Sequence, residues 1–218
     1  MIFRAIVFED RRDAGRVLAP LVAALPDLEG GIVLGLPRGG VPVAYEVARA
    51  ARLPLDLLMV HKLGAPGQRE LAIGAVASGG IVALNAELVE AFHLSEASIR
   101  AAVEHEQEEI ARRESLYREG MPALRIDGRT VVLVDDGLAT GATMRAAARV
   151  VRSQARRLIV AVPVAASSVC EQLQAEADRV VCAAMPEPLE SVGQYYRDFS
   201  PTSDEEVRSL LVEARGGC

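Results

Sequence analysis

Short apolar runs alternate with helix-period segments along most of the chain. The runs are residues 31–36 (GIVLGL), 55–60 (LDLLMV), 130–134 (TVVLV), 158–165 (LIVAVPVA) and 179–184 (RVVCAA). They are continuously apolar and do not alternate, which suits strands covered on both faces in a parallel sheet. Pro163 inside the fourth run predicts that this strand's end is not a fully paired central position. Between the runs the period changes. Asp10 is a helix cap for a segment whose Ala14, Val17, Leu18, Leu21 and Leu25 share a face, and Pro20 predicts a kink or break there. After Gly40, Val43, Val47 and Ala51 form a stripe. Residues 141–152 place Met144, Ala147, Ala148 and Val151 on one face and Arg145, Arg149 and Arg152 on another. Ser168 with Glu171 reads as a capping box for a helix through Ala177, and Ser203 with Glu206 as one for residues 207–214. Strands alternating with helices predict an α/β fold, a doubly wound, mainly parallel sheet with flanking helices.

Two segments break the rhythm. Residues 61–83 carry Gly64, Gly67, Gly74, Gly79 and Gly80. This is too long and glycine-rich for an ordinary connection, so it reads as a long lid loop over residues 63–80. Residues 95–117 read as a charged helix with a thin apolar stripe (Ile99, Val103, Ile110), packed on one edge of the sheet.

A chain of 218 residues corresponds to one domain with a small extra element, and 50% hydrophobic residues supply a core. The net charge of −6 argues against nucleic-acid binding by bulk charge. No apolar run approaches the ~20 residues that cross a bilayer. The start turns charged too early for a signal peptide. Cys170, Cys182 and Cys218 lack metal or redox spacing and read as thiols of a reducing cytosol. The expectation is a cytoplasmic protein with neither nucleic-acid nor membrane partners.

The chemistry lies in residues 131–143, VVLVDDGLATGAT. An apolar strand ends in two acids, and a turn of small residues then opens a helix. In open α/β sheets, ligands bind beyond the carboxyl ends of strands. Consecutive free N–H groups and a helix N-terminus suit a phosphate monoester. Thr140 and Thr143 add hydroxyls. Asp135 and Asp136 would repel that phosphate, so they should face neighbouring hydroxyls or a magnesium ion.

This stretch resembles the phosphoribosyl-pyrophosphate (PRPP) signature of the type I phosphoribosyltransferases: strand, two acids, and a loop closing on Thr-Gly-x-Thr. The resemblance implies that Asp135 and Asp136 contact the ribose 2- and 3-hydroxyls. It implies that Ala139, Thr140, Gly141, Ala142 and Thr143 hold the 5-phosphate, with Gly137 also binding PRPP. A second loop, Pro37, Arg38, Gly39 and Gly40 before Pro42, corresponds to the family's pyrophosphate loop, which often contains a cis peptide. His61 and Lys62 stand where the family's mobile catalytic loop begins. Lys62 is the single lysine beside 23 arginines. The resemblance gives Lys62 and Arg38 catalytic roles on the leaving pyrophosphate, with Arg69 and Glu70 in the same segment. Magnesium would be the cofactor, held mainly through PRPP and also by Asp135 and Asp136.

The implied domain is a single unit, residues 1–218, with a core at 30–185 and a hood from 1–28 and 186–218. The implied activity is glycosyl transfer, moving ribosyl 5-phosphate from PRPP to a nucleobase-like nitrogen acceptor, in nucleotide metabolism. Homodimers are common in the family. A regulator that senses PRPP without turnover is the alternative, and a sugar-phosphate hydrolase a third reading.

Plainer readings stand beside these. Paired acids after a strand also occur in receiver domains, but near the N-terminus and without the threonine loop. No Gly-Lys-Ser/Thr or GxGxxG occurs, which excludes a Walker loop and disfavours a dinucleotide fold. The acids could merely cap a turn. Arg38 could be a solvated arginine, and Lys62 a survivor of arginine-favouring codon bias. Tyr195, Tyr196 and Phe199 could dock the last helix, or Tyr195 and Phe199 could stack on a flat acceptor.

Overall fold

The computed structural model describes residues 7–65 and 68–216, with the backbone alone for 68–72. Along the chain run α1 (Arg11–Ala23), β1 (Ile32–Gly35), α2 (Gly40–Ala51), β2 (Leu55–Leu57), β3 (Val60–Ala65) and β4 (Gln68–Ala77). There follow β5 (Ile81–Leu84), α3 (Ala86–Ala91), α4 (Glu96–Arg118), β6 (Thr130–Val134), α5 (Ala142–Arg152), β7 (Arg157–Val164), α6 (Ser167–Leu173), β8 (Arg179–Ala184) and α7 (Asp204–Gly216). Five strands form a parallel sheet in the order β2-β1-β6-β7-β8. Each apolar run of the sequence supplies one of them. Alternate residues of a strand point to opposite faces. Val132 and Val134 thus join the core beneath α1 and α2, whereas Val131 and Leu133 join the core beneath α5 and α6. Pairing of β7 with β6 ends at Ala161, and from there to Pro163 β8 is the paired strand, before Leu138 bridges to Ala165. Pro163 stands in that one-sided stretch, where its missing N–H leaves no ladder bond unmade.

The departures have physical reasons. Asp10 does cap α1, its carboxylate accepting the Asp13 N–H at 2.7 Å. The helix runs on through Pro20, however, because the proline lies one turn from the end and removes a single hydrogen bond. Its buried face is Ala14, Gly15, Leu18, Ala19 and Val22, while Val17 and Leu21 are exposed. The small residues face α2 because the two helices nearly touch. A Cβ at Gly15 would lie 2.9 Å from Val43 O. α6 starts from Ala166 without a side-chain cap, so the Ser168–Glu171 box does not form. Ala165 is still hydrogen-bonded to Ala184 O at 3.2 Å, so the helix begins directly behind the sheet. The helix ends at Leu173, before the predicted Ala177. At α7 the predicted cap holds, with Ser203 Oγ accepting the Glu206 N–H at 3.0 Å.

The segment expected to be a lid loop is instead an antiparallel sheet, β3-β4-β5. The predicted strand at 55–60 divides after Leu57, and the chain turns at Leu58 and Met59 into β3. Lys62 pairs with Ala75, and Ala75 in turn with Ala83. The glycines mark turns and close approaches within this sheet. Gly79 and Gly80 have φ +76° between β4 and β5, and a Cβ at Gly74 would sit 2.3 Å from Ala83 O. Ala75 and Ala77 bury themselves with the α5 side of the core, and Ile73 and Val76 with the opposite side. The predicted helix at 95–117 is α4, capped by Ser95.

Candidate functional site

Two loops meet at the carboxyl end of the parallel sheet. Residues 36–40 leave β1 and residues 135–141 leave β6. The Leu36 N–H donates to Val134 O at 2.9 Å, which sets the loops side by side. Gly39 and Gly40 then press directly on the acid pair. A Cβ at Gly39 would fall 2.1 Å from Asp136 Oδ2, and one at Gly40 would fall 3.0 Å from Asp135 Oδ1. Glycine is therefore required twice by contact. The Pro37-Arg38 peptide is cis.

The second loop closes on the start of α5. Gly141 has φ +68° and is the helix N-cap, and the Ala142 N–H points at Thr140 Oγ1 at 3.4 Å. Ala139, Thr140 and Thr143 are exposed. The first-turn N–H groups of α5 have no partner within the helix, and its dipole places positive potential there. A phosphate monoester fits this geometry. Gly141→Ala is expected to lower stability by about 1–2 kcal/mol through the left-handed conformation alone. It should also weaken anion binding, because a Cβ there would meet Val169 Cγ1 at 2.6 Å and displace the loop. Thermal unfolding with and without ligand measures both effects.

The acids differ in environment. The Asp135 carboxylate accepts the Asp136 N–H at 2.9 Å. Loss of solvent and the neighbouring Asp136 charge push its carboxyl well above the usual range. Burial also raises Asp136, but Arg11 opposes this. Arg11 Nε donates to Asp136 Oδ2 at 2.8 Å, and both side chains are largely buried. Tyr196 Oη donates to Asp136 O at 2.5 Å. The oxygen-only pair suits a hard cation. Among the described residues no group of three or more His, Cys, Asp or Glu could hold a metal, so further oxygens would have to come from a ligand.

The predicted residues are brought together unevenly. Gly39, Gly40, Asp135 and Asp136 converge. Arg38 is half-exposed and turns away, its Nη1 3.6 Å from Asp204 Oδ1 at the start of α7. Lys62 is exposed on β3 and lines a cleft of about 670 Å³ with Gly74, Leu84, Ala142 and Arg145. The cleft thus runs between the antiparallel sheet and the first turns of α5. The side chains of Arg69 and Glu70 and the whole of Cys218 lie outside the described residues, and Cys170 and Cys182 are free thiols.

The aromatic residues of the tail pack with Phe8. Tyr196 is buried between Phe8 (centroids 5.4 Å apart) and Phe199 (4.9 Å). The Phe8 N–H donates to Tyr195 O at 2.8 Å, and the Arg197 N–H returns to Phe8 O at 2.8 Å. The cluster therefore joins the segment before α1 to the segment after β8.

The family model described as the phosphoribosyl transferase domain matches residues 26–196. The chain belongs to that family. Members with clear likeness span almost all of it. A Mycobacterium tuberculosis H37Rv protein named "Putative phosphoribosyl transferase Rv0571c" is 45% identical over 209 residues, 95% of this chain and 47% of its own length. A counterpart from strain CDC 1551, MT0597, gives the same figures. The chain thus spans about half the length of these relatives. The crystal structure of TT1426 from Thermus thermophilus matches with TM-score 0.84 and 43% identity, covering 95% of this chain and 98% of that one. Among the described residues no helix is long and apolar enough to cross a membrane.

Arg11 joins this candidate site although no sequence motif singled it out. Its Nη1 also donates to Ser200 O at 2.6 Å, and its guanidinium lies 4.0 Å from the Phe199 ring centroid.

Proposed function

We propose that this protein transfers ribosyl 5-phosphate from PRPP to a nitrogen of a nucleobase-like acceptor, releasing pyrophosphate. The observation that carries the reading is the contact of Gly39 and Gly40 with the Asp135–Asp136 pair, one loop away from the open N-terminus of α5. A ribose held by its diol at the acids can reach the loop at residues 139–143 with its 5-phosphate. Its anomeric substituent then faces the Pro37–Gly40 loop. The bond between the anomeric carbon and the pyrophosphate oxygen breaks, the bond to the acceptor nitrogen forms, and the nitrogen's proton is released. No protein nucleophile is needed, so rate would come from positioning and from charges placed at the departing oxygens.

Arg38, released from its exposed pair with Asp204, and Lys62 would meet the pyrophosphate. A surface ion pair at that distance is worth at most about 1 kcal/mol, so exchanging it for a phosphate is inexpensive. The Lys62 ammonium and the antiparallel sheet behind it would shield the reacting carbon from water. Magnesium, when bound through the donor's oxygens and the acid pair, would neutralise the leaving group. The acceptor would be read by the joined terminal segments, with Tyr195 and Phe199 as the candidate stacking residues.

Calorimetric titration with PRPP, with and without magnesium, tests the reading, together with pyrophosphate release across purine and pyrimidine bases. Saturable binding strengthened by magnesium and pyrophosphate formed in step with an N-ribosyl product are expected. Absence of donor binding would sink the proposal. Binding without turnover on any acceptor would make the protein a PRPP sensor, and orthophosphate in place of pyrophosphate a hydrolase.

A further inference from the structure

The cysteines show no redox spacing along the chain, yet the fold brings two of them together. Cys170 lies in α6 and Cys182 in β8. Cys170 belongs to the apolar core beneath α5 and α6, and the half-buried Cys182 packs against it. The turn from β7 into α6 fixes their places. The Ala165 N–H donates to Ala184 O at 3.2 Å, and the Cys170 N–H donates to Ala166 O at 3.1 Å. The Cys182 thiol donates to Ala184 O at 3.0 Å, and its sulfur is also in hydrogen-bond contact with the Cys170 sulfur. That contact favours the Cys170 thiolate against the opposing effect of burial, whereas the same contact and burial push the Cys182 thiol up. One sulfur is thus placed to act as a nucleophile and the other to stay a thiol beside it.

α6 also faces the loop that precedes α5. Val169, the neighbour of Cys170, closes on Gly141, where a Cβ would lie 2.6 Å from Val169 Cγ1. Arg145 Nη1 spans the two elements, donating to Thr140 O at 2.9 Å and to Gln172 Oε1 of α6 at 3.1 Å. α6 has seven residues and no side-chain cap. A helix so short holds its place by packing alone and can shift or open at little cost.

We propose that Cys170 and Cys182 form a modification site, a dithiol that a hydroperoxide oxidises to a disulfide, and that this bond loosens the loop at residues 139–143. The Cys170 sulfur attacks one peroxide oxygen and the O–O bond breaks. The other oxygen takes up the thiol's proton and, from hydrogen peroxide, leaves as water, so that Cys170 becomes a sulfenic acid. The Cys182 sulfur then attacks the Cys170 sulfur, the S–O bond breaks, and the hydroxyl leaves with the Cys182 proton as a second water. Closing the bond brings the sulfurs to about 2 Å, which draws α6 toward β8. β8 is the outer strand beyond β7, whereas α5 packs over β6 and β7. The pull therefore takes Val169 off Gly141 and stretches the Arg145 bridge. The covalent step is independent of the proposed donor site, and only its effect on PRPP rests on that reading.

The experiment uses wild type, Cys170→Ala and Cys182→Ala, each treated with hydrogen peroxide and then with dithiothreitol. Trypsin separates the two cysteines, since residues 158–179 and 180–197 each follow an arginine and end on one. Oxidised wild type should yield these peptides joined, two hydrogens lighter than their sum, and dithiothreitol should part them. Without ligand, amide hydrogen exchange over residues 139–143 should quicken about fivefold or more in oxidised wild type and return on reduction. Neither alanine variant should respond. PRPP affinity should fall by a similar factor on oxidation. Absence of the joined peptides, or a joined pair that leaves exchange at 139–143 unchanged, overturns the proposal. So does an equal change of exchange in the alanine variants. Failure of the donor reading looks different: wild type would ignore PRPP in both redox states, while the joined peptides and the exchange would still decide the proposal.

Discussion

Replacing both acids, Asp135→Asn with Asp136→Asn, is expected to weaken PRPP binding by about 10²- to 10⁴-fold, and of the two single variants Asp135→Asn should gain the more stability. The affinity loss follows from the removal of two hydrogen bonds to charged acceptors, each worth about 1.5–3 kcal/mol. Burial decides the stability. Asp135 is driven up by desolvation and by its neighbour's charge, so the folded state binds its proton more tightly than the unfolded chain does. Stability from such a group is complete at acid pH, below the ordinary carboxylate range, and is lost as pH rises through the elevated value. Asparagine removes that loss. Asp135→Asn should therefore stabilise the ligand-free protein at pH 7 by about 1–2 kcal/mol, or roughly 2–8 °C in Tm, and the gain should vanish toward acid pH. Asp136→Asn should gain less than Asp135→Asn, because Arg11 opposes the burial that raises Asp136 and loses a carboxylate partner when the acid is removed. Thermal melts across pH, run beside the PRPP titrations, separate the two. A lower Tm for Asp135→Asn at pH 7 would refute the account of the site's electrostatics, whatever happened to binding.

This trade between stability and binding also bears on what was legible in the sequence. The five parallel strands could be read because both faces are covered, which leaves uninterrupted apolar runs with no competing period. The acid pair and the loop before α5 could be read because consecutive residues carry the chemistry. Arg11 could not be found that way. Its partner Asp136 is 125 positions along the chain, and nothing local connects them. One signal was present. Arg11 and Arg12 open α1, where the helix dipole disfavours cations. Each is held by an acid from another element, Arg11 by Asp136 and Arg12 by the buried Glu46. Paired arginines in a first helical turn thus point to distant carboxylates, without saying which.

The antiparallel sheet was hidden for a different reason. Glycine frequency signals both loops and tight strand contacts. Gly79 and Gly80 supply a turn, whereas Gly74 lets two strands approach. Only packing distinguishes these uses. The face of α1 was obscured similarly, because a glycine within a stripe of leucines scores as a gap and proves to be the contact.

The network beneath this sheet gives the largest expected loss of stability. Asp56 on β2 is almost wholly buried and accepts from Arg118 Nε at 3.1 Å, from the Leu57 N–H at 2.8 Å and from the Leu124 N–H at 2.7 Å. Arg118 ends α4, binds Leu57 O at 3.1 Å and pairs with Glu114 at 2.6 Å, while Arg215 of α7 lies 3.7 Å from the same Asp56 carboxylate. One acid thus ties the edge strand to two helices. Asp56→Ala leaves a buried guanidinium short of its main partner, and the Leu57 and Leu124 N–H groups without their acceptor. It should cost about 3–5 kcal/mol, which for a chain of this length is roughly 6–20 °C in Tm. The double variant Asp56→Leu with Arg118→Met removes both charges together and should recover much of the loss, since a well-packed apolar pair often matches a buried ion pair. If the double variant is instead as unstable as the sum of the two single ones, the charges do not act as a pair. The site makes a further demand on this network. β2 turns directly into β3, which carries Lys62, so an edge strand loosened in Asp56→Ala should lower PRPP affinity near its melting range and leave it intact well below. Affinity lost equally at low temperature would mean that Asp56 shapes the donor site itself.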